Sequence, residues 1–334
     1  MSQRFLIVRL GSLGDVIHGI PVAAALRSAH PDARIDWLVD PRYVDVLNLV
    51  PVLSRPIGVN PRGSRATLLG VIRDLRRARY DAALDLQGLI KSAVLARAAG
   101  AAQTIGLTRA HLRESAASLF YSRRVDPDAV RHVVYKNLAL LDALGISHRE
   151  AQFPLSIPRS PVADAAAARF GHEGYVLLNP GAAWPNKRWP ADRFGAVAAA
   201  VREAAGMRSL VLWGPGEQPL AEAVVAASRG SAELSAQTTI SDLFALASRA
   251  RLVVAGDTGP LHIATAVGAP VVALFGPTFP ERNGPWSPAD ISLSRAHACV
   301  CHHKRQCRRP PACIDDIAVE EVIEAVQRRL GVHG

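Results

Sequence analysis

Cysteine is scarce in this chain and unevenly placed. The only four, Cys299, Cys301, Cys307 and Cys313, fall within fifteen residues near the C-terminal end. A disulfide framework running through the chain is therefore excluded. Aromatic residues are also few, at 5%. With Ala and Val abundant, this favours close-packed helices on parallel strands, where small and β-branched side chains fit. No long apolar run is present. Phe5 to Leu10 is interrupted by Arg9 and followed by Gly11, too short for a signal h-region and far from the ~20 residues of a membrane span. The expectation is a cytoplasmic chain, not inserted in a membrane.

Acidic residues are in deficit, 29 against 39 Lys and Arg, for a net charge of +10. Arg55, Arg62, Arg65, Arg73, Arg76, Arg77 and Arg79 face a single acid, Asp74, in their stretch. No zinc-finger, RNP or homeodomain pattern accompanies them. Nucleic acid is thus not the expected partner, whereas a phosphorylated ligand or an acidic membrane surface fits the charge.

Length and composition indicate two globular domains. The chain has 334 residues, 49% hydrophobic, against roughly 100–200 residues per domain. Strand-like runs alternate with helical ones: Arg4–Leu10, Arg34–Val39 and Asp81–Leu86 with helices over Asp15–Ala29, Thr67–Arg79 and Ile90–Ala99. After a proline-rich break, Phe153–Pro161, strands follow at Tyr175–Asn179, Ser209–Trp213, Leu252–Ala255 and Pro270–Phe275. Such alternation predicts an α/β chain of two doubly wound parallel sheets. The domain expectation is residues 1–155, 162–315, and a C-terminal helix at 316–330 packing back across the domains.

Five loops at strand ends carry candidate chemistry. Gly11-Ser12-Leu13-Gly14-Asp15 lacks the full G-x-G-x-x-G spacing of a dinucleotide fingerprint. Its glycines admit a ligand to the backbone. Asp15 is either a helix cap or a base that takes a proton from an acceptor hydroxyl. Asp257-Thr258-Gly259-Pro260-Leu261-His262 opens a short helix whose positive end suits phosphate, with His262 one turn in. Asn179 ends a strand ahead of a loop bearing Lys187, a compact cation for a diphosphate leaving group. Glu217, after Leu212-Trp-Gly-Pro-Gly, either holds a ribose or is an acidic residue of a helix start. Gln87 and Lys91, at the end of another strand, are placed to touch acceptor oxygens. The cysteine spacing C-x-C-x5-C-x5-C, beside His302 and His303, is not a standard zinc pattern. Reduced thiols or a local crosslink are expected ahead of a structural metal, and no catalytic metal is expected.

Together these motifs resemble glycosyltransferase family 9, the ADP-heptose:lipopolysaccharide heptosyltransferases. Ile7-Val-Arg-Leu-Gly-Ser-Leu-Gly-Asp15 is similar to the family's opening motif. Asp257 to His262 with Phe275-Gly-Pro-Thr278 is similar to its donor-phosphate motif. Asp85 to Ala93 and Arg113 to Tyr121 are similar to the heptosyltransferase I branch, from which the cysteine-rich tail departs. The resemblance implies a GT-B fold, two Rossmann-like domains facing across a cleft, with inversion at the anomeric carbon and neither metal nor cofactor. It implies Asp15 and Lys187 as catalytic residues. Ser12, Gly14, Asn179, Glu217, Asp257, Thr258, Gly259 and His262 would bind the donor, ADP-heptose. Arg62, Arg65, Gln87, Lys91 and Arg113 would bind an acidic, lipid-linked acceptor, Kdo-lipid A, at the cytoplasmic face of the inner membrane. The alternatives are a family 9 transferase with another nucleotide sugar or a later core acceptor, a non-catalytic nucleotide-sugar-binding protein, and a sugar-nucleotide epimerase.

Overall fold

The structure is a computed structural model and describes residues 2–147, 150–302, 304–307 and 309–332. The chain forms two units, Met1–Ser156 and Ile157–Gly334.

In the first unit the order is β1 (Arg4–Val8), α1 (Leu13–Ile17), α2 (Ile20–Ala29), β2 (Arg34–Val39), α3 (Val44–Asn48), β3 (Arg55–Gly58), α4 (Arg65–Ala78), β4 (Ala82–Asp85), α5 (Ile90–Ala98), β5 (Gln103–Leu107), β6 (Arg123–Val125) and α6 (Val133–Ala139). The sheet order is β3-β2-β1-β4-β5-β6, with every pairing parallel. Leu6, Ile7 and Val8 are fully buried, as a central parallel strand covered on both faces requires. Each such side chain contributes about 1.5–3 kcal/mol on burial.

The single helix expected over Asp15–Ala29 is broken in two at His18–Gly19. Pro21 lacks an amide proton and suits the first turn of a new helix. Gly19 lies so close to the sheet that a Cβ there would meet the Trp37 ring at 2.6 Å.

The second unit runs α7 (Pro161–Phe170), β7 (Tyr175–Asn179), α8 (Ala191–Ala205), β8 (Arg208–Val211), α9 (Gln218–Ala227), β9 (Ala232–Leu234), α10 (Ile240–Arg249), β10 (Leu252–Gly256), α11 (Gly259–Ala266), β11 (Val271–Phe275), α12 (Pro280–Asn283), β12 (Ile291–Ser294) and α13 (Val319–Leu330). Its sheet, β12-β11-β10-β7-β8-β9, repeats the first one's order, again all parallel. The apolar stripe of α13, Val322 and Val326 with Val319, Ile323 and Leu330 at its margin, packs into the core of this unit with Phe194, Val197 and Leu274. No helix among the described residues is long and apolar enough to cross a membrane.

Strand order reverses direction at two places, between β1 and β4 and between β7 and β10. Ligands of open α/β sheets gather at the carboxyl ends of strands flanking such a point. The candidate loops after β1, β4, β7 and β10 are the ones that stand there.

Candidate active site

In the first unit, the ends of β1 and β4 are tied together. Leu10 donates its amide proton to Gln87 Oε1 at 2.9 Å. The buried Arg9 guanidinium bonds the Leu86 carbonyl and pairs with the Asp15 carboxylate. Asp15 is the third residue of α1 and accepts from the Ser12 amide at 3.0 Å and the Ser12 hydroxyl at 3.1 Å. The capping contact weighed for Asp15 is therefore present, yet its side chain stays 36% exposed. Burial alone would raise its pKa. The Arg9 charge and the Ser12 donors outweigh that and hold it below the ordinary carboxylate value. Asp15 is thus ionised at neutral pH, a proton acceptor and not an acid.

The loop carrying Gln87 is shaped by Asp85, which the sequence did not single out as a site residue. Fully enclosed, Asp85 accepts from the amides of Gln87 at 2.9 Å and Gly88 at 3.3 Å, and from the hydroxyls of Ser92 at 3.0 Å and Tyr121 at 2.8 Å. Arg9 was visible in the sequence only as the charge that breaks an apolar run. A charged residue ending a buried strand was the signal for its role.

Other expected residues of this unit stand outside that network. Gly14 is buried within α1, its carbonyl accepting from the His18 amide at 2.9 Å. Lys91 lies exposed in the first turn of α5, and Arg113 is exposed beside Glu114, whose carboxylate accepts from the Ile90 amide at 2.7 Å. Arg62 and Arg65 are exposed around the start of α4. Of the other arginines in that stretch, Arg55 lies 3.8 Å from Asp36 and Arg76 donates to the Ala98 carbonyl at 2.9 Å.

In the second unit the site is organised by Asp257. Gly256 ends β10 where a Cβ would meet the Lys187 carbonyl at 2.8 Å, so only glycine lets the 180–190 loop pass this closely. Lys187 thereby reaches Asp257, pairing with its carboxylate and lying 3.3 Å from its carbonyl. The ammonium also sits 4.7 Å from the centre of the Trp184 ring, an attraction to the ring's negative face. His262 Nε2 lies 3.3 Å from Asp257 Oδ1. Thr278 donates to Oδ2 at 2.7 Å, and Asn283 to Oδ1 at 2.5 Å. Burial would raise the Asp257 pKa, but the His262 hydrogen bond and the charges of Lys187 and His262 force it far below the carboxylate range.

Asp257, expected among the donor-binding residues, is thus enclosed by its own partners, and its side chain is 3% exposed. It positions Lys187 and His262 at the start of α11. Asn179 is buried and donates to the Thr258 hydroxyl at 3.2 Å, fixing the N-cap of α11 to the end of β7. Gly259, the first residue of α11, stands at that helix's positive end. Glu217 folds back so that its carboxylate accepts from the Gly214 amide at 3.1 Å, at the start of α9. Its oxygens also press on Gly181, where a Cβ would lie 2.1 Å from one of them. Thr278 was visible in the Phe275–Thr278 motif, whereas Asn283 carried no signal in the sequence.

The model of glycosyltransferase family 9 (heptosyltransferase) matches residues 68–312. A lipopolysaccharide heptosyltransferase 1 of Pseudomonas aeruginosa is 30% identical over 319 residues, covering 92% of this chain and 88% of that protein. The crystal structure of a family 9 glycosyl transferase from Veillonella parvula superposes with a TM-score of 0.82 at 24% identity, over 99% of this chain and 98% of that one. The E. coli heptosyltransferase WaaC with ADP gives 0.78 at 23% identity, over 98% and 100%. These two likenesses show the fold, GT-B, with its two Rossmann-like units.

Proposed function

The chain belongs to glycosyltransferase family 9, the heptosyltransferases, and on that premise we propose that it moves a heptose from ADP-heptose to the Kdo region of inner-core lipopolysaccharide. Supporting the donor is the fact that the E. coli relative was solved with ADP and with ADP-2-deoxy-2-fluoro heptose. A lipopolysaccharide acceptor is supported by the P. aeruginosa relative, a lipopolysaccharide heptosyltransferase 1. One observation carries the reading: a single enclosed carboxylate, Asp257, gathers Lys187 and His262 at the N-terminal end of α11.

The chemistry is a displacement with inversion. The donor diphosphate lies at the α11 amides, where helix dipole and unpaired N–H groups favour an anion. Lys187 and His262 offset the charge that grows on it as the sugar–phosphate bond breaks. Stabilising charge where it develops is commonly the largest catalytic contribution. Asp15 accepts the proton of the acceptor hydroxyl. Held below its usual pKa, it is a weak base, so the proton moves late, once bond formation has made the hydroxyl acidic. A diphosphate leaves without protonation, so the acid that glycosidases need is not required. The chain's own cations meet the leaving group, and neither a catalytic metal nor a cofactor is needed.

Arg62, Arg65, Gln87, Lys91 and Arg113 are proposed to meet the acidic acceptor. On α4, Leu69 is 65% exposed beside a groove lined by Arg73, Arg76, Arg77 and Arg79. Each basic residue near an anionic bilayer adds about 1 kcal/mol, which supports the reading that the enzyme works peripherally, on the cytoplasmic face of the inner membrane. The test is ADP release from ADP-heptose, with and without Kdo-lipid A in anionic vesicles, across a salt series. Release that needs the acceptor and falls with salt is expected. Donor turnover without acceptor would mark an epimerase, and no turnover with any acceptor a binding protein.

A further inference from the structure

The four cysteines converge in space. Cys299, Cys301 and Cys313 are buried and Cys307 is half-buried, none of them in a disulfide, and they pack as one cluster. Cys301 Sγ stands 3.4 Å from Cys307 Sγ, and Cys299 Sγ accepts from the Cys301 amide at 3.3 Å. A sulfur pair at that distance is well beyond a disulfide bond of about 2.05 Å. It is near the ~3.8 Å edge of a thiolate tetrahedron drawn around zinc at about 2.3 Å from each sulfur.

The surrounding chain has little else to hold it. Between the turns at Ala296–Ala298 and Cys313–Asp316 the described residues contain no helix or strand. The large apolar side chain there, Val300, is 77% exposed. Irregular stretches of this length need a staple of some kind, and here the buried side chains are the sulfurs. Charge agrees. Residues 296–313 contain no Asp or Glu but include Lys304, Arg305, Arg308 and Arg309, and a divalent ion bound by four thiolates carries a net charge of about −2. Arg308 and His303 lie outside the described residues.

We propose that Cys299, Cys301, Cys307 and Cys313 together bind one divalent cation of the zinc class as a closed, structural tetrathiolate site. Among the described residues no three potential ligands are gathered as a finished cation site. Binding therefore draws the sulfurs inward, releasing one proton from each thiol to solvent as its metal–sulfur bond forms. The site has no open position and takes no part in catalysis. It anchors the segment whose Lys304 carbonyl accepts from Asn186 Nδ2 at 2.9 Å. It also anchors Ile314, which fills the space beside Gly276, where a Cβ would meet it at 2.8 Å. The loops bearing Lys187 and Thr278 are thereby backed by the stapled segment.

The experiment is elemental analysis of tag-free protein purified without chelator or added metal. About one equivalent of zinc or iron per chain is expected, the element deciding between those two ions. Refolding with Co2+ alone should give the charge-transfer absorption of thiolate ligands. Cys307→Ser, at the half-buried position, should lose about tenfold or more in metal content and lower the melting temperature. His302→Ala should keep the metal. Should the serine variant fail to fold, the metal content of the unaltered protein still decides. Metal below about a tenth of an equivalent, with four thiols titrating in the folded protein, overturns the proposal. So does an intact mass about 2 or 4 Da short, which marks disulfides.

Discussion

Asp15 and Asp257 are the same side chain at comparable places, each at the start of the short helix that follows a strand at a switch point, Asp15 in its first turn and Asp257 just before it. Both have pKa values held down by cations and hydrogen-bond donors against the opposing effect of burial. They differ in what is left over. A carboxylate has about four lone-pair sites. Asp257 fills its own with Lys187, His262, Thr278 and Asn283, and its side chain is 3% exposed. Among the described residues Asp15 is held by Arg9 and Ser12, and its side chain is 36% exposed. A substrate hydroxyl can reach the second kind of carboxylate and not the first. Local sequence gives both aspartates the same character, a carboxylate beside a helix start. Asp15's partners are local, whereas Lys187, Thr278 and Asn283 reach Asp257 from farther along the chain, and that separates an accessible carboxylate from an enclosed one.

Replacing Asp15 tests that distinction most severely. In Asp15→Ala, kcat should fall about 100- to 10,000-fold, the usual reach of a general base, with donor affinity within a few-fold of the parent. Turnover and donor affinity lost together, with a lowered melting temperature, would make Asp15 a cap and nothing more. The next largest effect belongs to Lys187. Lys187→Ala should cost about 100- to 1,000-fold in kcat/KM for the nucleotide sugar and about 3–5 kcal/mol of stability, because an enclosed carboxylate loses its charged partner. Adding Asp257→Asn should restore much of the stability and none of the donor use. Recovery of both by the double variant would reduce Lys187 to a counter-ion of Asp257.

Much of the fold could be read directly from the sequence, because it rests on local patterns. Buried parallel strands are continuous apolar runs, and the amphipathic stripe of α13 is visible in its spacing. The break between α1 and α2 was not, since it depends on Trp37 approaching Gly19 from another strand. The site divides in the same way. Lys187, His262 and Thr278 stand in motifs and were visible. Asn283 reaches Asp257 from a four-residue helix with no motif of its own. Arg9 and Asp85 act through contacts to residues far along the chain, such as Leu86 and Tyr121. The cysteines were legible as a cluster, with reduced thiols or a local crosslink expected, but their spacing matches no standard zinc pattern that would bring all four sulfurs together.

The smallest expected effect sharpens the comparison most, because it reads the two carboxylates separately. A group whose folded pKa is lowered contributes stability above its unfolded pKa, about 3.9 for Asp, and loses it as pH falls through the folded value. Asp257, enclosed by its partners and forced far below the carboxylate range, should govern the acid limb of unfolding, setting in below about pH 4. Asp15 should instead govern the acid limb of kcat/KM. Arg9→Met removes the charge that opposes burial at Asp15, so that limb should move up by about 1–3 pH units while neutral-pH activity changes less. The mutation leaves Asp257 with every partner it has, so the acid limb of unfolding should keep its position apart from a uniform loss of stability. A kinetic limb that stays put in Arg9→Met would mean that the first unit's carboxylate is not the proton acceptor, whatever its exposure.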